Sequence, residues 1–219
     1  MSDAPLLQLA LDYVSLPPAL AMAQLLHEEV DIIECGTPLC AAEGLNAVRT
    51  VRHLCPDSLI LADYKVPDVG GLSAKIAFDA GANWITVIGC APLITVKEAL
   101  EEADSRDCEI LVELTGLQDI GERAKAWKDI GVRRVVYHRG WDEGNVDKRL
   151  WEQEDFDLIR QLADTGFKVS VAGGLSLDLI PRFEGVPISV FIIGRAIRET
   201  PDPPATARQF KEAIAACCG

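Results

Sequence analysis

A short apolar, β-branched run followed by a longer amphipathic stretch recurs eight times along this 219-residue chain. No other feature restricts the fold as strongly. The runs are Leu6–Leu11, Val30–Cys35, Leu59–Ala62, Trp84–Ile88, Ile110–Leu114, Arg134–Tyr137, Lys168–Val171 and Val190–Ile193. Several are apolar almost throughout, as parallel strands covered on both faces are. The intervening stretches predict helices over Pro17–Glu29, Ala41–Cys55, Leu72–Ala80, Ile94–Asp104, Ile120–Gly131, Glu154–Gly166 and Ala205–Ala216, with a short one near Leu177–Phe183. Gly81, Gly131 and Gly166 stand where helices should stop. Eight consecutive βα units predict an α/β chain closed into a single-domain (β/α)8 TIM barrel over residues 1–219, compact for a fold in which about 250 residues is typical. A doubly wound open sheet is the alternative. It needs a G-x-G-x-x-G turn after the first strand, and Leu11-Asp12-Tyr13-Val14 is nothing like one. The longest gap between runs holds residues 140–157, an acidic insertion with two tryptophans directly after the sixth run, which makes it a candidate lid.

Charge narrows the range of partners. Lys and Arg number 21 against 34 Asp and Glu, a formal charge of −13, and no stretch clusters basic residues with aromatics. Nucleic acid and anionic membrane are therefore not expected as partners. No apolar run approaches the roughly 20 residues that span a bilayer, and Met1 to Pro5 does not begin a signal sequence, so the expected location is the cytoplasm. The seven cysteines are odd in number and form no C-x-x-C pair, which suggests neither a disulfide framework nor a zinc site.

The case for an enzyme rests on what terminates the apolar runs. The first ends in Asp12, the second contains Glu34, the third leads into Asp63 and Lys65, and the fifth contains Glu113. The sixth ends in His138 and Arg139, the seventh in Gly173-Gly174 and the eighth in Gly194-Arg195. A barrel gathers all of these at the C-terminal mouth of its strands, where such folds carry their active sites. Ionisable groups there are costly to desolvate unless paired or metal-bound.

In Asp63-Tyr64-Lys65-Val66-Pro67-Asp68, an extended backbone points Asp63 and Lys65 to one face, while Pro67 turns the chain so that Asp68 lies elsewhere. A lysine flanked by carboxylates stays protonated and is suited to stabilising an oxyanion; the bland alternative is a surface ion pair. Glu34 and Asp63 end neighbouring strands and repel, a repulsion that Mg²⁺ would relieve; the alternative is that Glu34 pairs with Lys65 and no metal binds. The glycines after strands seven and eight expose backbone N–H groups for a phosphate, with a charge-assisted contact from Arg195, although a tight βα turn also explains Gly-Gly. His138 is placed to relay a proton near neutral pH, or is a satisfied structural histidine; His27 and His53 fall within predicted helices.

The segments LQLALD, EEVDIIECGTPLC, LADYKVPDVGG, ELTG, VVYHR, GFKVSVAGGL and VFIIGRAIR carry a resemblance that runs over nearly the whole chain. It is to the orotidine 5′-phosphate decarboxylase suprafamily, with its Asp-x-Lys-x-x-Asp signature at Asp63, Lys65 and Asp68. Within it, the chain resembles the branch of 3-keto-L-gulonate 6-phosphate decarboxylases and 3-hexulose 6-phosphate synthases. The resemblance implies a (β/α)8 homodimer with active sites at the subunit interface, Asp68 being contributed across it. It further implies Mg²⁺ on Glu34 and Asp63, substrate hydroxyl contacts from Asp12 and Glu113, enediolate stabilisation by Lys65, phosphate binding by Gly173, Gly174, Gly194 and Arg195, and protonation through a water near His138. The implied reaction is decarboxylation of 3-keto-L-gulonate 6-phosphate to L-xylulose 5-phosphate and CO₂. Aldol condensation of formaldehyde with D-ribulose 5-phosphate is the alternative, and a non-catalytic sugar-phosphate-binding protein is a third reading. The chain departs from the decarboxylase pattern at Trp141, where that branch carries Arg, with Arg139 offset by two positions as a partial substitute. Ala172, in place of Thr, resembles the synthases, whereas Glu113 resembles the decarboxylases.

Overall fold

The strand runs alternate in side-chain direction, and that alternation decides what faces what. The computed structural model describes residues 4–118, 120–140, 142 and 151–218. Its strands are β1 (Leu6–Leu11), β2 (Ile32–Cys35), β3 (Leu59–Val66), β4 (Trp84–Ile88), β5 (Glu109–Glu113), β6 (Arg134–His138), β7 (Lys168–Ala172) and β8 (Val190–Ile193). Each pairs in parallel with the next, and β8 pairs with β1, closing the barrel. On β2, Ile33 and Cys35 turn outward into the layer beneath the helices, while Ile32 and Glu34 turn inward. β3 repeats this with Ile60 and Ala62 outward and Leu61 and Asp63 inward, and β5 with Ile110 and Val112 outward and Leu111 and Glu113 inward. The outward positions make one large apolar core against the helices, which supplies most of the burial that drives folding. The inward positions are apolar low in the barrel, where Ile32, Leu61, Trp84, Leu111, Val136 and Val190 pack together, and polar toward the mouth. At the lower end Arg134 lies 4.4 Å over the Trp84 ring and pairs with Glu109 at 2.5 Å.

The helices are α1 (Leu16–Leu26), α2 (Thr37–Glu43), α3 (Leu45–Leu54), α4 (Gly70–Asp79), α5 (Leu93–Asp104), α6 (Ile120–Asp129), α7 (Gln153–Asp164), α8 (Arg195–Arg198) and α9 (Pro203–Cys218), with a 3₁₀ helix over Leu177–Phe183. Two local expectations are corrected. The single helix over Ala41–Cys55 is two, because Gly44 takes φ 59° and ψ −149°, a conformation that essentially only glycine adopts. β3 does not stop at Ala62 but runs to Val66, with its register against β4 shifting in between. Of the expected lid at 140–157, Trp141 and residues 143–150 lie outside the described residues, and its last residues open α7. Among the described residues no helix is long and apolar enough to cross a membrane.

Candidate active site

A cavity of about 840 Å³ opens at the C-terminal ends of the strands. Asp12, Glu34, Asp63, Lys65, Glu113, His138, Arg139, Ala172, Gly173, Gly174, Gly194 and Arg195 all line it. Asp68 does not. It is exposed on the loop before α4, where its Oδ1 accepts the Val69 N–H at 2.8 Å, so within one chain it stands apart from the other candidates.

The stretch from Asp63 to Val66 shows how the backbone serves the side chains. Lys65 has φ 46°, a left-handed conformation that costs a non-glycine residue about 1–3 kcal/mol. It marks the bulge between Ala62 and Val66, and bulges re-aim side chains beside active sites. Lys65 donates its backbone N–H to Thr86 Oγ1 at 2.8 Å. The Lys65 ammonium ion-pairs with Asp63, donates to Thr37 Oγ1 at 2.9 Å and lies 3.9 Å from Glu113 Oε2. Asp63 also accepts from the Thr86 hydroxyl at 2.7 Å and the Thr37 hydroxyl at 2.5 Å. At 5% exposure Asp63 is no partner in a surface ion pair. Burial pushes against both charges. For Lys65 the Asp63 and Glu113 carboxylates outweigh burial and raise its pKa above the ordinary lysine value; for Asp63 the ammonium and three hydrogen bonds hold the carboxyl below its usual range.

Glu34 does not pair with Lys65. Its Oε2 accepts from Gln8 Nε2 at 2.6 Å, and burial, reinforced by the charges of Asp63 and Asp12, drives its carboxyl well above the ordinary range. Gln8 Oε1, buried beside it, has no hydrogen-bond partner among the described residues. Excess negative charge and an all-oxygen donor set fit a hard divalent cation held by one or two carboxylates, with water and substrate completing its shell. A site of three or more His, Cys, Asp or Glu ligands is not formed among the described residues.

His138 Nδ1 lies 3.4 Å from Glu113 Oε1, and Glu113 also accepts from the Thr115 hydroxyl at 2.5 Å. Burial lowers the imidazole pKa, but the hydrogen bond and charge of Glu113 outweigh it, leaving the ring above its ordinary value of 6.5. Across the mouth, Gly173 is at φ 96° and Gly174 at φ 65°. A Cβ on Gly173 would stand 2.1 Å from the Arg139 carbonyl oxygen, so both backbone angle and close approach require glycine there. Trp151 Nε1 donates to the Gly173 carbonyl at 3.0 Å, and the Arg139 guanidinium lies 5.7 Å over the Trp151 ring.

Gln8, Thr37, Thr86, Trp151 and Arg198, which pairs with Asp12 at 3.5 Å, are parts of the arrangement that the run-end pattern does not identify. Gln8 left one signal, as a polar amide inside an otherwise apolar run.

Comparison with known proteins bears on this geometry. A family model described as orotidine 5′-phosphate decarboxylase / HUMPS family matches residues 5–210. The chain is 45% identical over 215 residues to the 3-keto-L-gulonate-6-phosphate decarboxylase UlaD of Salmonella typhi, covering 98% of this chain and 99% of that one. Among solved structures, KGPDC from Streptococcus mutans in complex with D-R5P superposes with a TM-score of 0.93 at 38% identity, covering 98% of this chain and 99% of that one. The 3-hexulose-6-phosphate synthase of Salmonella typhimurium gives 0.88 at 29%, covering 96% of this chain and 99% of that one.

Proposed function

Because the chain belongs to the orotidine 5′-phosphate decarboxylase/HUMPS family, we propose that it is a Mg²⁺-dependent, cytoplasmic carboxy-lyase that converts 3-keto-L-gulonate 6-phosphate to L-xylulose 5-phosphate and CO₂. The observation that carries this reading is the Lys65 ammonium, held inside the cavity between Asp63 and Glu113 on a strained backbone. Loss of CO₂ from a β-keto acid leaves an electron pair that spreads onto the neighbouring oxygens as a 1,2-enediolate. A fixed, desolvated cation aimed at that charge stabilises the transition state without reorganising.

In this reading Glu34 and Asp63 hold Mg²⁺, which would supply Lewis-acid stabilisation of the same charge. Lys65 cannot act as a neutral nucleophile, because its carboxylate neighbours keep it protonated. Asp12 and Glu113 accept hydrogen bonds from substrate hydroxyls and orient the sugar. Gly173, Gly174 and Gly194 present backbone N–H groups to the phosphate, with Arg195 adding charge and Arg139 and Ala172 completing the wall. His138, kept proton-rich by Glu113, returns a proton to the enediolate carbon through a water.

Asp68 completes the site from a second copy of the chain. Val69, Leu72 and Ile76 on and before α4, which follows Asp68 in the chain, and Leu93 and Ile94 on the α5 helix packed against it are large apolar side chains left exposed, and this surface supports a homodimer. Ala172 favours a second reading, aldol condensation of formaldehyde with D-ribulose 5-phosphate through the same kind of enediolate. One pair of assays separates the two, both with Mg²⁺: CO₂ release from the keto acid, and formaldehyde consumption with the pentulose phosphate. CO₂ release as the faster reaction is expected. Formaldehyde consumption without CO₂ release assigns the synthase activity, and saturable sugar-phosphate binding with neither reaction removes catalysis from the reading.

A further inference from the structure

Arg198 ends the single turn of α8, yet its side chain is only 5% exposed. Its Nη2 reaches Asp12 Oδ2 at 3.5 Å, its guanidinium carbon lies 4.7 Å over the Tyr13 ring, and its Nε has no hydrogen-bond partner among the described residues. An arginine buried for stability alone would use its planar fork more fully, because leaving donors unmade in the interior is costly. What this one does is close a slot. A Cβ on Gly36 would stand 2.2 Å from Asp12 Oδ1, and one on Gly194 would stand 3.1 Å from Oδ2, so the loops after β2 and β8 press on the carboxylate from two directions. Arg198 supplies a third side. Its backbone N–H bonds back to the Gly194 carbonyl at 3.1 Å, so the turn that begins at the proposed phosphate rim also carries the group that grips Asp12.

We propose that Arg198 is a positioning residue: set over the Tyr13 ring, its guanidinium holds the Asp12 carboxylate in the slot between Gly36 and Gly194 and aims it into the cavity. This rests on the reading of Asp12 as the acceptor of a substrate hydroxyl. Asp12 needs such a brace because burial and the nearby Asp63 charge both work against its ionised form, and Arg198 is the largest opposing influence. Tyr13, next in sequence to Asp12, gives the guanidinium a surface that a flexible ammonium would use less well.

The test combines turnover with structure in Arg198→Met, Arg198→Lys, Asp12→Asn and the Arg198→Met/Asp12→Asn double variant. Misplacing an orienting group by about 1 Å costs on the order of 10²-fold, and a loss of that size in kcat/KM is expected for Arg198→Met, with Arg198→Lys in between. The double variant should be no worse than Asp12→Asn, because Arg198 acts only through that carboxylate. Affinity for inorganic phosphate, measured by calorimetry, should stay unchanged in Arg198→Met. The crystal structure of substrate-free Arg198→Met should show the Asp12 carboxylate out of its slot. Additive losses in the double variant, or an unmoved Asp12, would overturn the assignment. If Arg198→Met does not fold, the same structural comparison on Arg198→Lys decides: a displaced Asp12 carboxylate is expected, and an Asp12 unmoved in its slot would overturn the assignment. Absence of turnover in the unmodified protein would end the proposed reaction, and the position of Asp12 in the variant would still decide the role of Arg198.

Discussion

The two ends of the barrel treat charge in opposite ways. At the lower end Arg134 is 9% exposed, stacks on Trp84 and meets Glu109, so a buried cation has an aromatic face and a counter-ion. At the mouth Asp12, Glu34, Asp63 and Glu113 crowd one cavity with Lys65, and Glu34 is left strongly opposed to ionising. The backbone differs as well. Lys65, Gly173 and Gly174 take positive φ at the mouth, whereas the Arg134, Trp84 and Glu109 positions lie on regular, register-matched strands. The lower end is arranged for stability, and the upper end holds charge and strain that stability alone would remove, as functional sites do.

Substitutions at each end should separate these properties. Lys65→Ala should lower kcat by about 10²- to 10³-fold, the cost of removing one preorganised charge, while circular dichroism shows an intact fold. An unchanged rate would abolish the distinction drawn for the mouth. Arg134→Met should do the reverse: a loss of about 2 kcal/mol, from its cation–π and charged hydrogen-bond partners, read as a lower denaturant midpoint with kcat within about twofold. Gly173→Ala forces a Cβ against the Arg139 carbonyl and strains the backbone, so the melting temperature should fall by several degrees and inhibition by inorganic phosphate should weaken by about tenfold. Glu34→Gln puts a neutral amide where burial and the Asp63 and Asp12 carboxylates oppose a charge. The metal-free protein should gain about 1 kcal/mol in thermal unfolding, and the proposed Mg²⁺ binding should be missing from calorimetry of the variant.

The smallest effect concerns His138. Its pKa in the folded chain lies above 6.5, so its pairing with Glu113 stabilises the fold fully below the unfolded value and is lost as pH rises through the folded one. An NMR titration of the imidazole should show the raised midpoint, and Glu113→Gln should bring it down. A midpoint unmoved by that substitution would detach His138 from Glu113.

Much of the mouth was legible because a strand alternates strictly. Glu34, Asp63 and Glu113 occupy the inward phase of runs whose outward phase is continuous hydrocarbon, so their position follows from residue type and spacing. What stayed hidden depends on contacts distant in sequence or on backbone angles without a residue signature. Thr86 reads as an ordinary strand former until Asp63, 23 positions away, is placed against its hydroxyl. Arg198 and Asp12 are 186 positions apart. A lysine at positive φ has no counterpart in composition, and the extended backbone expected through Lys65 is interrupted by a bulge for that reason. Gly44 split a helix that periodicity alone runs together. Asp68 marks a different limit, since one chain does not bring it to the cavity.

The pairing of β1 with β8 has a consequence for how the protein comes into being. Asp12 is synthesised long before the strand beside it and the arginine proposed to hold it, so the pocket cannot be complete until residue 198 has been added to the nascent chain. Fragments that stop before residue 190 lack the closing strand and should be inert however well their first βα units fold.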